Sequence, residues 1–335
     1  MNEQKSGDIL LEVKGLKKYF PITGGVIPRT VGNLKAVDGI SLHIKQGETL
    51  GIVGESGCGK TTLGRVILRL IDLTEGEVIF NKKDISHYST REFRRMRRYM
   101  QIIFQDPFAS LHPRMTVGSL ISEPMKIHGF GNRHERKERV KELIKVVGLD
   151  PYHLSKYPHE FSGGQQQRIG IARALAPSPD LIICDEPVSA LDVSIRSQIL
   201  NLLDDLQKKF NLTYMFISHD LAIIRHISDR VGVMYLGKLV ELATGDELFN
   251  NPLHPYTEAL FSAIPVLDPK LRREKIVLSG EVPSPVDIPA GCRFHGRCRH
   301  RKEVCTQKEP EFKNIGNSHF VRCYLHDRSE SCPSK

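Results

Sequence analysis

Gly54-Glu55-Ser56-Gly57-Cys58-Gly59-Lys60-Thr61 has the glycine spacing and closing Lys-Thr pair of a loop that wraps a polyphosphate. Glycines let backbone N–H groups approach phosphate oxygens, and a helix opening inside the loop adds positive potential at the same point. Lys60 would reach the β- and γ-phosphates and the Thr61 hydroxyl would hold Mg²⁺, with Thr62 continuing the nucleotide-binding run. Downstream, the apolar run LIIC ends in Asp185 and Glu186. Asp185 suits a direct or water-mediated Mg²⁺ contact, and Glu186 can polarise an attacking water.

A separate group needs a different chemistry. Cys292, Cys298, Cys305 and Cys323 are spaced C-x5-C-x6-C-x17-C in a segment with few apolar residues. Disulfides are disfavoured for a chain that meets a reducing pool. Unlinked thiols and a metal centre both stay open, and four thiolates can organise a segment that cannot organise itself. Structural zinc sites usually pair cysteines two to four residues apart, whereas longer gaps suit a larger cubane. His295 and His300 are alternative ligands or surface histidines. Cys58 and Cys184 fit core positions, and Cys332 falls in a terminal tail.

These residues need a scaffold. Short runs rich in Val, Ile, Leu and Phe predict strands at 10–13, 49–53, 78–80, 102–104, 181–184, 214–218 and 232–235. Helical patterns predict helices over 61–70, 133–147, 163–176 and 194–210. The alternation argues for an α/β core with parallel strands. Strand signals vanish between about 108 and 177, which reads as a helical insertion. Prolines at 265, 269, 283, 285 and 289 mark a change of character towards the C-terminus.

With 335 residues, the chain can bury a sizeable core without external staples. Its longest apolar runs fall far short of a membrane span, and the polar start MNEQKSGD lacks the apolar core of a secretion signal, so a cytoplasmic chain is expected. The net charge of +9 would suit an acidic partner, a membrane surface or nucleic acid. Part of it lies in the run from Arg91 to Arg98, read here as a solvated helix face.

Phe161-Ser162-Gly163-Gly164-Gln165 narrows the choice among nucleotide-binding proteins. It resembles the LSGGQ signature of ATP-binding cassette (ABC) ATPases, with Phe in the leading apolar position. Gln105 in IIFQDP matches the Q-loop, Ser189-Ala190-Leu191-Asp192 the D-loop and His219 in ISHD the switch histidine. Phe20, with Tyr19 as competitor, matches the aromatic that stacks on adenine. The resemblance implies an α/β P-loop NTPase of the ABC type. Its parallel-sheet core would carry a small antiparallel β part and a helical subdomain at about 108–177. Residues 1–265 would form the ATPase domain and 266–335 a short cysteine-containing extension. Catalysis would fall to Glu186, His219 and Gln105, and Mg²⁺ to Thr61, Gln105 and Asp185. Residues Gly54 to Thr62 would bind ATP across from a partner's Ser162, Gly163, Gly164 and Gln165, with Ser189 and Asp192 nearby.

The stretch PITGGVIPRTVGNLKAV and the segment NNPLHPYTEALFSAIP resemble the ATPase subunits of bacterial dipeptide and oligopeptide importers, the first pointing to the F-type of the pair. Nickel importers are close relatives. This resemblance implies a [4Fe–4S] cluster on the four cysteines, with zinc as the alternative. It also implies a second homologous ATPase, two permease subunits and an external peptide-binding protein, at the cytoplasmic face of the membrane. A non-transport ABC ATPase acting on nucleic acid is the rival; nucleic acid is not expected as a partner.

Overall fold

The computed structural model describes residues 7–24, 29–263 and 276–327. The boundary expected at 265 and the terminal Cys332 lie outside them. Two sheets organise the chain. The smaller is antiparallel and pairs β1 (Ile9–Gly24) with β2 (Arg29–Lys45), β4 (Glu75–Phe80) and β5 (Lys83–Asp84), in the order β2-β1-β4-β5. The larger joins β3 (Thr49–Val53), β6 (Met100–Ile103), β7 (Leu181–Asp185), β8 (Thr213–Ile217), β9 (Arg230–Tyr235), β10 (Lys238–Thr244), β11 (Lys313–Asn314) and β12 (Phe320–Val321). Its order is β11-β12-β10-β9-β3-β8-β7-β6, and the run from β9 to β6 is parallel. Every residue of β3, β7 and β8 is buried, as expected for parallel strands covered on both faces.

Helices complete the layers. Leu63, Val66 and Ile67 of α1 (Lys60–Ile67) pack with Val13, Leu16, Val37 and Val78 of the antiparallel sheet. After α2 (Thr90–Met96) come α3 (Pro107–Ser110), α4 (Val117–Ile127), α5 (Arg133–Val146) and α6 (Gly163–Leu175). Among the described residues, no strand interrupts the stretch from α3 to α6. Their apolar faces share one core with α7 (Val193–Phe210), including Leu143, Ile169, Ile171, Leu203 and Leu206. Three further helices, α8 (Leu221–Ile227), α9 (Gly245–Asn250) and α10 (Pro255–Ser262), lead to the extension, which holds α11 (Val304–Gln307).

Two long strands escaped the sequence reading. In β2, Gly32, Gly39 and polar residues break the alternation, and its pairing with β1 shifts register at several points. The hairpin from β9 to β10 turns on Leu236 and Gly237, at φ 41 and φ 79. Two left-handed residues in a row make the tight turn that suits twisted strands, but Leu-Gly lacks the Asn-Gly signature that advertises it. The run from Arg91 to Arg98 is also only half a solvated face. The Arg97 guanidinium lies over Phe93, and Arg98 lies over Phe130 while donating to the Pro177 carbonyl.

The extension is welded to the core. Its β12 extends the large sheet beside β10, where Arg322 N–H donates to the Val240 carbonyl. Beneath this pairing, His319 Nε2 lies 2.7 Å from Glu241 Oε1, with both side chains buried. Glu241 also accepts the backbone N–H groups of Leu253 and His254. Burial opposes a charged His319 ring, but Glu241 and Glu247 outweigh it and hold the ring above its ordinary value. Its contribution is therefore full below about pH 6.5 and fades as pH rises through the folded value. His254, which burial pushes down to about 4, acts in the opposite sense but is common to any variant of His319. We expect His319→Ala to cost about 3 kcal/mol at pH 6 and less at pH 8. Paired denaturant titrations at the two pH values check this, and an equal deficit at both would refute it.

Candidate functional site

β3 runs straight into the phosphate loop, and close backbone approach shapes the loop. At Gly54 (φ 154) a Cβ would lie 2.2 Å from the Met234 carbonyl oxygen, and at Gly59 (φ 104) it would lie 2.0 Å from that of Ala36. Only glycine fits either place. Gly59 then starts α1, whose first residue, Lys60, is buried at the loop centre. Its ammonium donates to the carbonyl oxygens of Gly54 (2.7 Å) and Glu55 (2.9 Å).

This loop forms one side of a cavity of about 570 Å³, a size suited to a nucleotide. Residues Ser56 to Thr62 line it together with Phe20, Gln105, Glu186 and His219. Of the two neighbouring aromatics, Phe20 faces the cavity, while the Tyr19 hydroxyl donates to Asp38. Gly54, Glu55 and Asp185 stand behind the lining. Leu34, Lys35, Ala36, Leu236, Gly237 and Pro285 complete the wall, and nothing in the sequence had marked any of them as a site residue.

The carboxylates occupy different environments. Asp185 ends β7 and accepts a 2.8 Å hydrogen bond from the Thr61 hydroxyl. Burial pushes its carboxyl above the ordinary value, against the pull of that bond and of Arg65. Such a pair of oxygens can accept a divalent cation, whose charge would reverse the effect of burial. Glu186 follows at φ 47, a left-handed conformation uncommon for glutamate. Its N–H donates to the Ile217 carbonyl, and the Ser189 hydroxyl donates to the Glu186 carbonyl. Gln105 Nε2 donates to Glu186 Oε2 at 3.0 Å, and His219 Nδ1 lies 3.0 Å from Oε1. The three residues expected to act in catalysis thus meet in one polar cluster on the cavity wall.

The signature lies elsewhere. Ser162 caps α6, with its hydroxyl accepting the Gln165 N–H and Gln165 Oε1 accepting the Ser162 N–H. Ser162, Gly163, Gly164 and Gln165 contribute nothing to the cavity lining. Asp192 is at the N-terminus of α7 and exposed.

Cys292, Cys298, Cys305 and Cys323 line a second, smaller cavity and lie within one another's electrostatic reach. Burial pushes the Cys292 thiol up to about 11 and Cys323 up to about 12. His295 and His300 reach the same cavity, but Nδ1 of His295 is bonded to the Cys292 carbonyl. Among the described residues, no three His, Cys, Asp or Glu side chains are arranged to hold a single metal ion.

The buried charge of Asp185 generates a prediction. Asp185→Asn removes a carboxylate whose ionised form works against folding at neutral pH, so the thermal midpoint without magnesium should rise while the stabilisation conferred by MgATP shrinks. A midpoint below that of the parent chain would contradict the assignment.

Comparison with known proteins accords with this geometry. The ABC transporter family matches residues 37–189, and the oligopeptide/dipeptide transporter C-terminal region matches residues 240–305. The oligopeptide transport ATP-binding protein AppF of Bacillus subtilis is 57% identical over 95% of this chain and 98% of its own. The dipeptide transport ATP-binding protein DppF of Escherichia coli is 48% identical over 96% of each chain. Among solved structures, the post-hydrolysis dimer of the ATP-binding cassette MJ0796 bound to ADP and Pi superposes with a TM-score of 0.62 at 29% identity, over 70% of this chain and 98% of that one. CbiO1 of Clostridium perfringens, part of the ABC transporter complex cbiONQ, gives 0.63 at 30% identity, over 73% of this chain and 92% of that one. The chain belongs to the oligopeptide and dipeptide transport ATP-binding proteins of the ABC transporter family.

Proposed function

We propose that this chain is the ATP-hydrolysing motor subunit of a membrane importer for di- or oligopeptides. One observation carries the chemistry: Glu186, Gln105 and His219 meet on the wall of the cavity that the Lys60 loop opens. The Lys60 ammonium exchanges the carbonyls of Gly54 and Glu55 for β- and γ-phosphate oxygens. Phe20 provides a face for the adenine. Thr61 and Asp185, joined by Gln105, are the residues that would hold Mg²⁺, which neutralises charge on the phosphates. Glu186 orients water for in-line attack, and His219 steadies Glu186 and the developing charge.

The exposed Ser162 end of α6 offers N–H groups and a hydroxyl that this chain's own nucleotide does not reach. It serves the nucleotide of a second, homologous ATPase subunit, in a heterodimer closed by ATP and reopened by hydrolysis. The dimeric form of the MJ0796 cassette bound to ADP and Pi supports the pairing of two such chains. The helices between Pro107 and Leu175 form the helical subdomain of an ATPase domain ending near residue 265. With Gln105 and the exposed Phe108, they offer the surface on which permease subunits dock. None of the described helices is long and apolar enough to cross a membrane, so the motor works from the cytoplasmic face through those permeases, fed by an external peptide-binding protein. Transport of oligopeptides or dipeptides in the names of AppF and DppF supports the choice of substrate.

The four cysteines fit a [4Fe–4S] cluster better than one zinc ion. They line one common cavity, and the gaps between them in sequence are longer than the two to four residues usual between paired zinc ligands. The raised thiol values of Cys292, Cys298 and Cys323 mean that a bound cation must replace their protons. The cluster organises the extension; hydrolysis requires no redox step.

Two outcomes are expected. Glu186→Gln should lower ATPase activity of the assembled transporter by about two orders of magnitude while retaining ATP binding; unchanged turnover would remove Glu186 from the mechanism. Anaerobically purified chain should contain iron and acid-labile sulfide in equal amounts, both lost in Cys292→Ser. Zinc without sulfide, or neither metal, would reject the cluster.

A further inference from the structure

The extension touches the nucleotide site directly. Arg297, one residue before Cys298, directs both guanidinium nitrogens at Glu55 of the phosphate loop: Nη1 lies 2.9 Å from Oε2 and Nη2 3.2 Å from Oε1. The Arg297 side chain is 10% exposed and that of Glu55 27%. The Glu55 backbone is held too, because its N–H donates to the Tyr256 hydroxyl at 2.9 Å. Tyr256 packs against Phe294 of the extension, with ring centroids 5.5 Å apart, and Phe294 is buried. Arg293 adds a second anchor, donating to the Leu236 carbonyl and to Asp38. Elsewhere on the cavity wall, the Pro285 carbonyl accepts the Lys35 N–H.

Glu55 is an awkward residue for its place. It puts a carboxylate on a loop that must surround a polyphosphate, where an unpaired negative charge would repel the ligand and draw the loop out of shape. The two-pronged contact answers both problems, since it offsets the charge and fixes the carboxylate behind the cavity lining. Lysine could offset the charge but could not supply the fork.

We infer that Arg297 is a positioning residue for the phosphate loop, so that the C-terminal extension is a structural part of the nucleotide site as well as an appendix to it. The inference rests on the reading of the cavity as a nucleotide site. It goes beyond that reading by placing a determinant of nucleotide affinity 242 residues downstream of the loop.

The experiment measures binding of a methylanthraniloyl-labelled ADP, with Mg²⁺, to the full chain and to Arg297→Ala, Arg297→Lys, Glu55→Gln and the Arg297→Ala/Glu55→Gln pair. Hydrogen exchange of the amides from Gly54 to Lys60 is followed in parallel. Arg297→Ala should weaken binding about tenfold and speed exchange in the loop. Arg297→Lys should fall between it and the parent. In the Glu55→Gln background, removing Arg297 should cost no more than about twofold, because the charge it controls is gone. Unchanged binding by Arg297→Ala beside tight binding by the parent would overturn the inference alone. So would an equal loss with and without Glu55, since Arg297 would then act through folding of the extension. Failure of the parent to bind the nucleotide would overturn the reading of the cavity and this inference with it.

Discussion

The parallel ladder of β3, β8 and β7 does not stop where the strands end. Ser218 N–H donates to the Ile52 carbonyl, and Glu186 N–H donates to the Ile217 carbonyl. The same cross-strand hydrogen bonding that builds the sheet therefore fixes the first residues of the loops leaving it. Parallel strands present their carboxyl ends along one edge, and here that edge supplies the phosphate loop, the carboxylate pair and the segment carrying His219. These groups are aligned because their backbones are still part of the sheet.

Such rigidity explains how unfavourable local conformations survive. Glu186 and Leu236 both adopt positive φ, and each is pinned by several neighbours: Glu186 by Ile217 and Ser189, Leu236 by Arg293 and by the tight turn with Gly237. A backbone held at several points can keep a strained residue whose side chain must point in one direction. Asp185 shows the electrostatic counterpart, a carboxylate kept where burial works against its charge.

Much of this was legible in the residues themselves. The phosphate loop, the Asp185–Glu186 pair and the buried parallel strands carry local signals, namely glycine spacing and uninterrupted apolar runs. The antiparallel sheet was only partly visible, because the long β1–β2 pairing tolerates glycines and register shifts that erase alternation. The β10 strand was hidden by a Leu-Gly turn whose conformation depends on tertiary contacts. Arg297, Arg293, Tyr256 and Pro285 were silent for a simpler reason. An arginine between two cysteines gives no hint of a partner that far away, and only the folded chain brings it to Glu55. The cysteines were visible as a group, and the fold adds that they share one cavity.

The pairing of β12 with β10 has a bearing on how the protein is made. β10 carries Leu239, Val240 and Leu242 next to the fully buried β9, and it would be an open, apolar sheet edge if nothing covered it. Residues 313–321, which cover it, are synthesised after the whole nucleotide-binding core. The nascent core must pass through an interval with an adhesive strand exposed to its neighbours on the polysome, and the later emergence of the β11–β12 hairpin ends that exposure.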